Sequence, residues 1–426
     1  MKQNNPLSKD NIKTGDKVKI KKDGTEYIGK IMPSSKKEQI TLKLDNGYNV
    51  GIKLKNLEIE KIKGKTKKEK TTEYTPKKQE NLPTLSILTT GGTIASSVDY
   101  RTGAVTSQFD AKEILENIPE LEKIANYKSK VVFNILSENM SPKHWIELSN
   151  AISEEIKQGT DGIIIAHGTD TMAYTASAIS FMINSPIPII FVGSQRSADR
   201  PSSDNVLNAI CAAKAAKSDI AETMIVMHSE TSDTHCYAHR ATKARKMHTS
   251  RRDAFRSINN KPIAKIDQRN LEILDHDYQK RNVTELETKN DLNSNVSLIK
   301  YSPGLDKSIF ENMAEKSDGI IIEGTGLGHV SRDWISSIST AIKEGTPVVI
   351  TSQCLYGRVS DRVYNTGRDL IDAGVIQAED MLPEVAYVKL MWTLPRTSNN
   401  EEVREIMREN IAGEINERTK NTTYLI

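Results

Sequence analysis

Three short segments hold side chains suited to breaking an amide bond: "TTGGTIA" (89–95), "LSENM" (136–140) and "HGTDTM" (167–172). Together they supply Thr93, Ser137, Glu138, Thr169 and Asp170. That is a set of hydroxyls and carboxylates with no histidine relay and no metal-ligand spacing. The glycine pair before Thr93 fits neither phosphate fingerprint, since it is not G-x-G-x-x-G and no Gly-Lys-Ser/Thr follows. A threonine hydroxyl is barely ionised at neutral pH, so as a nucleophile it needs a base beside it. A lysine serves if burial lowers its pKa from about 10.4. The run "RATKARKMHTSRR" (240–252) offers Lys243, Lys246 and several arginines. Blander explanations exist for each piece. "TGGT" suits a helix cap with a turn, and "HGTDT" a helix start capped by Thr169 or Asp170. His167 reads as structural, because nothing near it in sequence pairs with it. Two such loops in order, each after an apolar strand, point to chemistry.

The elements around these loops decide where they meet. From residue 83 onward apolar runs alternate with amphipathic ones. Strands are expected at "TLSILTT" (84–90), "KVVFNIL" (130–136), "GIIIA" (162–166), "IPIIFVGS" (187–194) and "ETMIVMH" (222–228). Helices are expected at 111–125, 141–158, 173–183 and 205–216, the second opened by Ser141 and Pro142. Such alternation implies an α/β fold with a mostly parallel sheet covered on both faces, and sites collect at the carboxyl ends of its strands. All three segments lie at such ends. Apolar content drops near 283–296, so the large α/β domain is assigned to 83–285 and a smaller α/β domain to 295–398, followed by a charged helix and tail at 399–426. Ahead of them, residues 1–62 hold four or five short strands with turn signals at Asp23-Gly24 and Asp45-Asn46-Gly47, which suggest a small all-β barrel. Residues 63–82 read as a lysine-rich linker.

Composition narrows the classes. The chain has 426 residues and a formal net charge of +3. Residues 1–80 hold 21 Lys and 11 acidic residues, a balance of +10 that leaves −7 on the remainder. A basic front on a mildly acidic body suits a polyanionic partner such as RNA, and equally a solvated lysine surface. Three scattered cysteines (Cys211, Cys236, Cys354) argue against a disulfide framework or a zinc site and fit a reducing compartment. No stretch has the character of a signal peptide or a membrane span, so a soluble cytoplasmic protein is expected.

From about 83 to 395 the chain resembles the bacterial-type L-asparaginases and glutaminases, a two-domain α/β fold. "ILTTGGTIAS" and "IIIAHGTDTMAYTA" look like that family's two threonine signatures, and "ILSENM" like its substrate-binding segment. "RATKARK" followed by "AFRS" resembles the segment that brings a catalytic lysine, and "IEGTGLGHV" and "MLPEVAYVKLMWTL" resemble second-domain signatures. The resemblance implies Thr93 as the nucleophile, with Tyr100 helping to polarise it. It implies Thr169, Asp170 and Lys243 as a group in which the lysine, oriented by the aspartate, activates a threonine. Ser137 matches the binder of the substrate's α-carboxylate. Glu138 stands where many members have Gln. The glycine pair would let the backbone approach the substrate closely and supply N–H donors to an oxyanion.

The basic front module and the run 239–255 extend the likeness to the archaeal-type glutamyl-tRNA(Gln) amidotransferases, specifically their D subunits. That resemblance implies hydrolysis of glutamine to ammonia, without a cofactor or metal in this chain. An E-type partner subunit, using ATP and Mg, would convert Glu-tRNA(Gln) to Gln-tRNA(Gln). A homodimer within a heterotetramer is implied as well. The run 239–255 would contact RNA or the partner, or simply form a loop organised around Lys243. Two other functions fit less well: a stand-alone cytosolic L-asparaginase with an extra module, and a non-catalytic RNA-binding scaffold. Retention of the threonines, aspartate and lysine speaks against the scaffold.

Overall fold

The computed structural model describes residues 12–32, 39–44, 48–62, 79–91, 97–98, 105–106, 118–197, 202–360 and 362–424. Thr93 and Tyr100 lie outside the described residues, as do positions 63–78 of the expected linker and 111–117 of the expected helix.

The front module is a five-stranded antiparallel sheet: β1 (Lys17–Lys22), β2 (Thr25–Met32), β3 (Gln39–Leu44), β4 (Asn49–Lys53) and β5 (Glu58–Lys61), in the order β4-β3-β2-β1-β5. Alternation along "KVKIKK" turns Val18 and Ile20 inward and the lysines outward. These two pack with Ile31, Ile40, Leu42 and Ile52 in a core of their own. Asp23 and Gly24 both have positive φ (49° and 76°), the backbone a tight two-residue hairpin turn requires. The expected small all-β module is thus a compact antiparallel unit; among the described residues no ladder joins β4 to β5.

The large domain holds β6 (Thr84–Thr89), β7 (Asn126–Val131), helix α1 (Pro142–Lys157), β8 (Gly162–Ala166), α2 (Met172–Met182), β9 (Ile189–Val192), α3 (Asn205–Ala216) and β10 (Thr223–His228). After these come β11 (Cys236–Arg240), the hairpin β12 (Ala244–Lys246) and β13 (Phe255–Ser257), then β14 (Ala264–Ile266) and β15 (Leu271–Ile273). The sheet order is β15-β14-β11-β10-β9-β8-β6-β7. Its strands from β7 to β10 are parallel, and β11, β14 and β15 extend it antiparallel. Alternate residues of the parallel strands enter two cores. Leu88, Ile163, Ile165 and Phe191 face one, and Leu85, Ile87, Ile164 and Ile190 the other. Helices on both faces explain why these strands read as unbroken apolar runs.

Two expected elements shift. The strand placed at 130–136 is Asn126–Val131. It is an edge strand, and its half-polar sequence hid it, while the apolar residues after it run across the carboxyl end of β6, with Val132 N–H and Ile135 N–H donating to the carbonyls of Thr89 and Thr90. The helix expected at 111–125 contributes only a 3₁₀ turn, Pro119–Lys123, to the described residues.

The smaller domain is a parallel sheet, β16 (Val296–Lys300), β17 (Gly319–Gly324), β18 (Val348–Ser352) and β19 (Ile376–Gln377), in that spatial order. Phe310 of α4 (Lys307–Ala314), Trp334 and Ile338 of α5 (Arg332–Lys343) and Leu370 of α6 (Asn365–Asp372) fill one face. Helix α7 (Pro383–Thr393) covers the other and is buried all round. Its Val385, Ala386 and Val388 share one apolar core with Ile179 and Phe181 of α2, so the two domains are joined by continuous packing. Helix α8 (Asn400–Arg408), capped by the Asn399 side chain on Glu401 N–H, turns only Val403 and Met407 inward. The tail beyond it folds back between the domains. There Glu414, fully buried, accepts from Lys389 Nζ at 2.6 Å and from Ala412 N–H at 2.7 Å.

Candidate active site

The carboxyl edge of the parallel sheet assembles the candidate residues. At the end of β6, Thr90 N–H and Thr90 Oγ1 both bond the carbonyl of Ala166 at the end of β8 (3.1 and 3.0 Å). Gly91 follows with φ +103°, and a Cβ there would lie 2.2 Å from the Ile135 carbonyl oxygen. Only glycine permits this crossing of two backbones. Within the glycine pair expected to approach the substrate, Gly91 is therefore required for contact with the chain's own backbone. Thr93 stands two positions further on.

After β8 the chain turns through His167 and Gly168 into Thr169 and Asp170. His167 is fully buried, with Nδ1 on the Gly168 carbonyl at 2.7 Å and its ring against Phe191. Burial holds its pKa down at about 4, so the ring is neutral and structural, as its isolation in the sequence suggests. A Cβ on Gly168 would sit 2.6 Å from Ser137 Cβ, which puts the Ser137 segment directly against the Thr169 loop. Thr171 Oγ1 fastens the two by donating to the Ser137 carbonyl at 2.7 Å. Ser137 is buried and Glu138, next to it in a 3₁₀ turn, is exposed.

The lysine at this edge is Lys246. Its Nζ donates to Thr169 Oγ1 at 2.8 Å and to Asp170 Oδ1 at 2.7 Å. Lys243, the residue expected there, lies elsewhere. Its ammonium is 1% exposed and bonds Asp380 Oδ2 of the smaller domain at 2.9 Å. Burial pulls the Lys243 pKa down, and Asp380 opposes it. Strand geometry is the reason for the exchange. Lys243 closes the 3₁₀ turn before β12 and faces the domain junction, whereas Lys246 ends β12 opposite Phe255. The hairpin register therefore chooses between two lysines three residues apart, and that register is not visible in "RATKARK". The "AFRS" run holds the only sequence signal, since Phe255 is the residue that pairs with Lys246.

Every cation from 240 to 256 has an internal partner: Arg240 with Glu222, Arg245 with Glu384, Arg251 and Arg256 with Asp253, Arg252 with Asp233, besides the two lysines. The basic run is thus organised within the chain. Sequence reasoning also passed over Asp204. Fully buried, it accepts from Ser194 Oγ (2.8 Å) and from the N–H groups of Gln195 and Arg196, holding the loop after β9 beside Thr169.

Lys246 between a threonine hydroxyl and a carboxylate, at the mouth of a parallel sheet, is an arrangement for moving a proton to or from a hydroxyl. Residues 84–279 match the model of the asparaginase N-terminal domain, 295–407 that of the glutaminase/asparaginase C-terminal domain, and 12–62 that of the GatD N-terminal domain. The D subunit of glutamyl-tRNA(Gln) amidotransferase from Pyrococcus furiosus is 52% identical, over 99% of this chain and 99% of the relative. The chain belongs to the family of glutamyl-tRNA(Gln) amidotransferase D subunits. The D subunit from Methanosarcina mazei is 51% identical over 96% of this chain and 99% of its own length. Among solved structures, the thermostable L-asparaginase of Thermococcus kodakarensis superposes with TM-score 0.71 at 34% identity, covering 78% of this chain and 99% of that one. L-asparaginase I of Vibrio cholerae gives 0.69 at 27% identity, covering 79% and 99%. Both asparaginases therefore stop short of the whole chain, while the D subunits span nearly all of it. Among the described residues no helix is long and apolar enough to cross a membrane.

Proposed function

We propose that this chain is the glutaminase subunit of a tRNA-dependent amidotransferase. It hydrolyses glutamine and delivers the ammonia to an E-type partner subunit, which uses ATP and Mg to convert Glu-tRNA(Gln) to Gln-tRNA(Gln). The observation that carries the hydrolase is the seat of Lys246 Nζ between Thr169 Oγ1 and Asp170 Oδ1. The Thr93 hydroxyl attacks the side-chain amide carbon of glutamine, and its proton passes to a base in the Thr169–Lys246 pair. The tetrahedral intermediate collapses as ammonia leaves with a proton returned from that pair, and water then hydrolyses the threonyl ester by the same route. Asp170 orients the lysine, Ser137 and Glu138 hold the α-carboxylate and α-amino groups, and Tyr100 polarises Thr93. Lys246 takes the part that sequence reasoning gave to Lys243.

Full-length likeness to D subunits, front module included, favours the amidotransferase over a stand-alone cytosolic L-asparaginase. The chain itself needs no cofactor in this reading and works in the cytoplasm as a homodimer within a heterotetramer. Val363 and Tyr364, both exposed on the smaller domain with the Tyr364 ring against His329, suit a contact with the second copy. The test is ammonia release from glutamine and from asparagine, by the chain alone and with the partner subunit and Glu-tRNA(Gln). Glutamine hydrolysis that rises sharply with partner and charged tRNA supports the proposal. Fast asparagine hydrolysis indifferent to tRNA refutes it.

A further inference from the structure

The strand that delivers Lys246 is only three residues long and pairs with a partner strand of the same length. So short a ladder does not by itself fix which way a lysine points. Two side chains reach from this segment into the smaller domain. Lys243 Nζ bonds Asp380 Oδ2 at 2.9 Å, and Arg245 Nη1 bonds Glu384 Oε2 at 2.8 Å. Both carboxylates are nearly inaccessible, with side chains 2% and 6% exposed. They flank the start of the buried helix α7, four positions apart in "DMLPE". Arg245 and Lys246 are neighbours on a strand, so their side chains leave opposite faces. Holding Arg245 on Glu384 therefore sets the rotation of the strand and aims Lys246 at Thr169 and Asp170.

We propose that Asp380 and Glu384 are positioning residues, through which the smaller domain clamps the 243–246 segment and holds Lys246 in working geometry. The proposal rests on the role given to Lys246 above. The clamp extends to the tail. Asn416 donates its backbone N–H to Asp380 Oδ1 at 2.9 Å and its side-chain amide to Oδ2 at 2.6 Å, while Thr242 Oγ1 donates to the Ala412 carbonyl at 2.9 Å. The segment carrying the candidate base is thus tied to the C-terminal tail as well as to α7. A displacement of about 1 Å at a catalytic group lowers turnover roughly a hundredfold, so a loosened clamp is visible in kcat. Substrate contacts are untouched, so KM is not expected to follow.

The experiment is steady-state glutamine hydrolysis by the full chain with its partner subunit, for Glu384→Gln, Arg245→Met, Arg245→Lys and, as control, Lys246→Met, with melting temperatures for each. The contact is made by a single guanidinium nitrogen, so lysine can replace it. We expect Glu384→Gln and Arg245→Met to lower kcat about tenfold to a hundredfold with KM within about twofold, and Arg245→Lys to restore most of the loss. Glu384→Gln keeps the helix start packed and serves if Arg245→Met does not fold. An inactive Lys246→Met beside a Glu384→Gln variant, and an Arg245→Met variant where it folds, at wild-type kcat overturns the clamp alone. Loss in kcat and KM together, with no rescue by Arg245→Lys, overturns it too. A fully active Lys246→Met overturns the underlying role of Lys246.

Discussion

Lys243 and Lys246 differ by three positions, and the structure assigns them opposite responses to the same substitution. Lys246 pairs with an Asp170 side chain that is 68% exposed. Such a pair contributes under about 1 kcal/mol to stability, so Lys246→Met should melt within a few degrees of wild type. Loss of a general base or acid lowers turnover by about 10² to 10⁴, or roughly 3 to 5 kcal/mol in the transition state. Lys243→Met removes the partner of an Asp380 side chain that is 2% exposed. An uncompensated buried charge costs about 3–5 kcal/mol. Asp380 keeps both donors of Asn416 and the Arg358 guanidinium at 3.8 Å, which places the loss near the lower end. At about 2–4 °C per kcal/mol this is a fall in Tm of roughly 6–12 °C. Thermal melts and glutamine turnover at 25 °C read the two effects separately. A Lys246→Met variant with wild-type turnover, or a Lys243→Met variant of unchanged Tm that is wholly inactive, would refute the assignment.

Other consequences follow from single contacts. Thr93→Val should abolish glutamine hydrolysis while leaving circular dichroism and Tm unchanged; retained turnover counts against Thr93 as nucleophile. Gly91→Ala forces a Cβ to 2.2 Å from the Ile135 carbonyl at φ +103°, so it should destabilise by about 3 kcal/mol or more, read from the urea midpoint. Burial lowers His167 to about 4 and His239 to about 3, from an ordinary 6.5. Between pH 6.5 and about 4 the unfolded chain therefore binds protons that the folded one refuses. Stability should fall with falling pH, by up to about 1.4 kcal/mol per unit for each histidine. Urea midpoints at pH 7, 6 and 5 measure this, and His167→Gln should flatten the slope; a flat wild-type profile contradicts the buried neutral rings. Truncation to residue 79 should keep the two-domain fold, because Gln79 already bonds Asn126 through both backbone groups, whereas cutting beyond 82 should loosen β7. Limited proteolysis of the two truncations distinguishes them.

The legible part of this molecule is the part governed by local pattern. Parallel strands such as "GIIIA" are apolar on both faces because helices cover both, and the hydroxyl loops follow them at the carboxyl ends, so the fold class and the juxtaposition of the Ser137 and Thr169–Asp170 loops could be read directly. What failed depends on register or on distant partners. β7 was misplaced because an edge strand exposes Lys128, Ser129 and Lys130 and loses the apolar signature. The antiparallel strands β11, β14 and β15 went unseen because they are short and interrupted by charges. Lys246 was passed over for Lys243 because both fit the spacing and only the pairing with Phe255 separates them. Asp380 and Glu384 gave no signal at all, being more than 130 residues away from the lysine and arginine they hold.

That distance bears on how the site works. Lys243 and Arg245 have partner carboxylates that are nearly inaccessible, and such groups exchange protons with solvent poorly. Lys246 differs in both respects: its carboxylate is open to solvent, and its ammonium also contacts a side-chain hydroxyl. Of the cations in this basic run, it is the one whose contacts join a side-chain hydroxyl to a solvent-exposed carboxylate. In the proposed mechanism the two inaccessible pairs before Lys246 hold the strand still, and the pair with the exposed carboxylate carries the proton transfer. A charge reversal at Asp170 should therefore impair turnover far more than folding, and one at Asp380 should impair both.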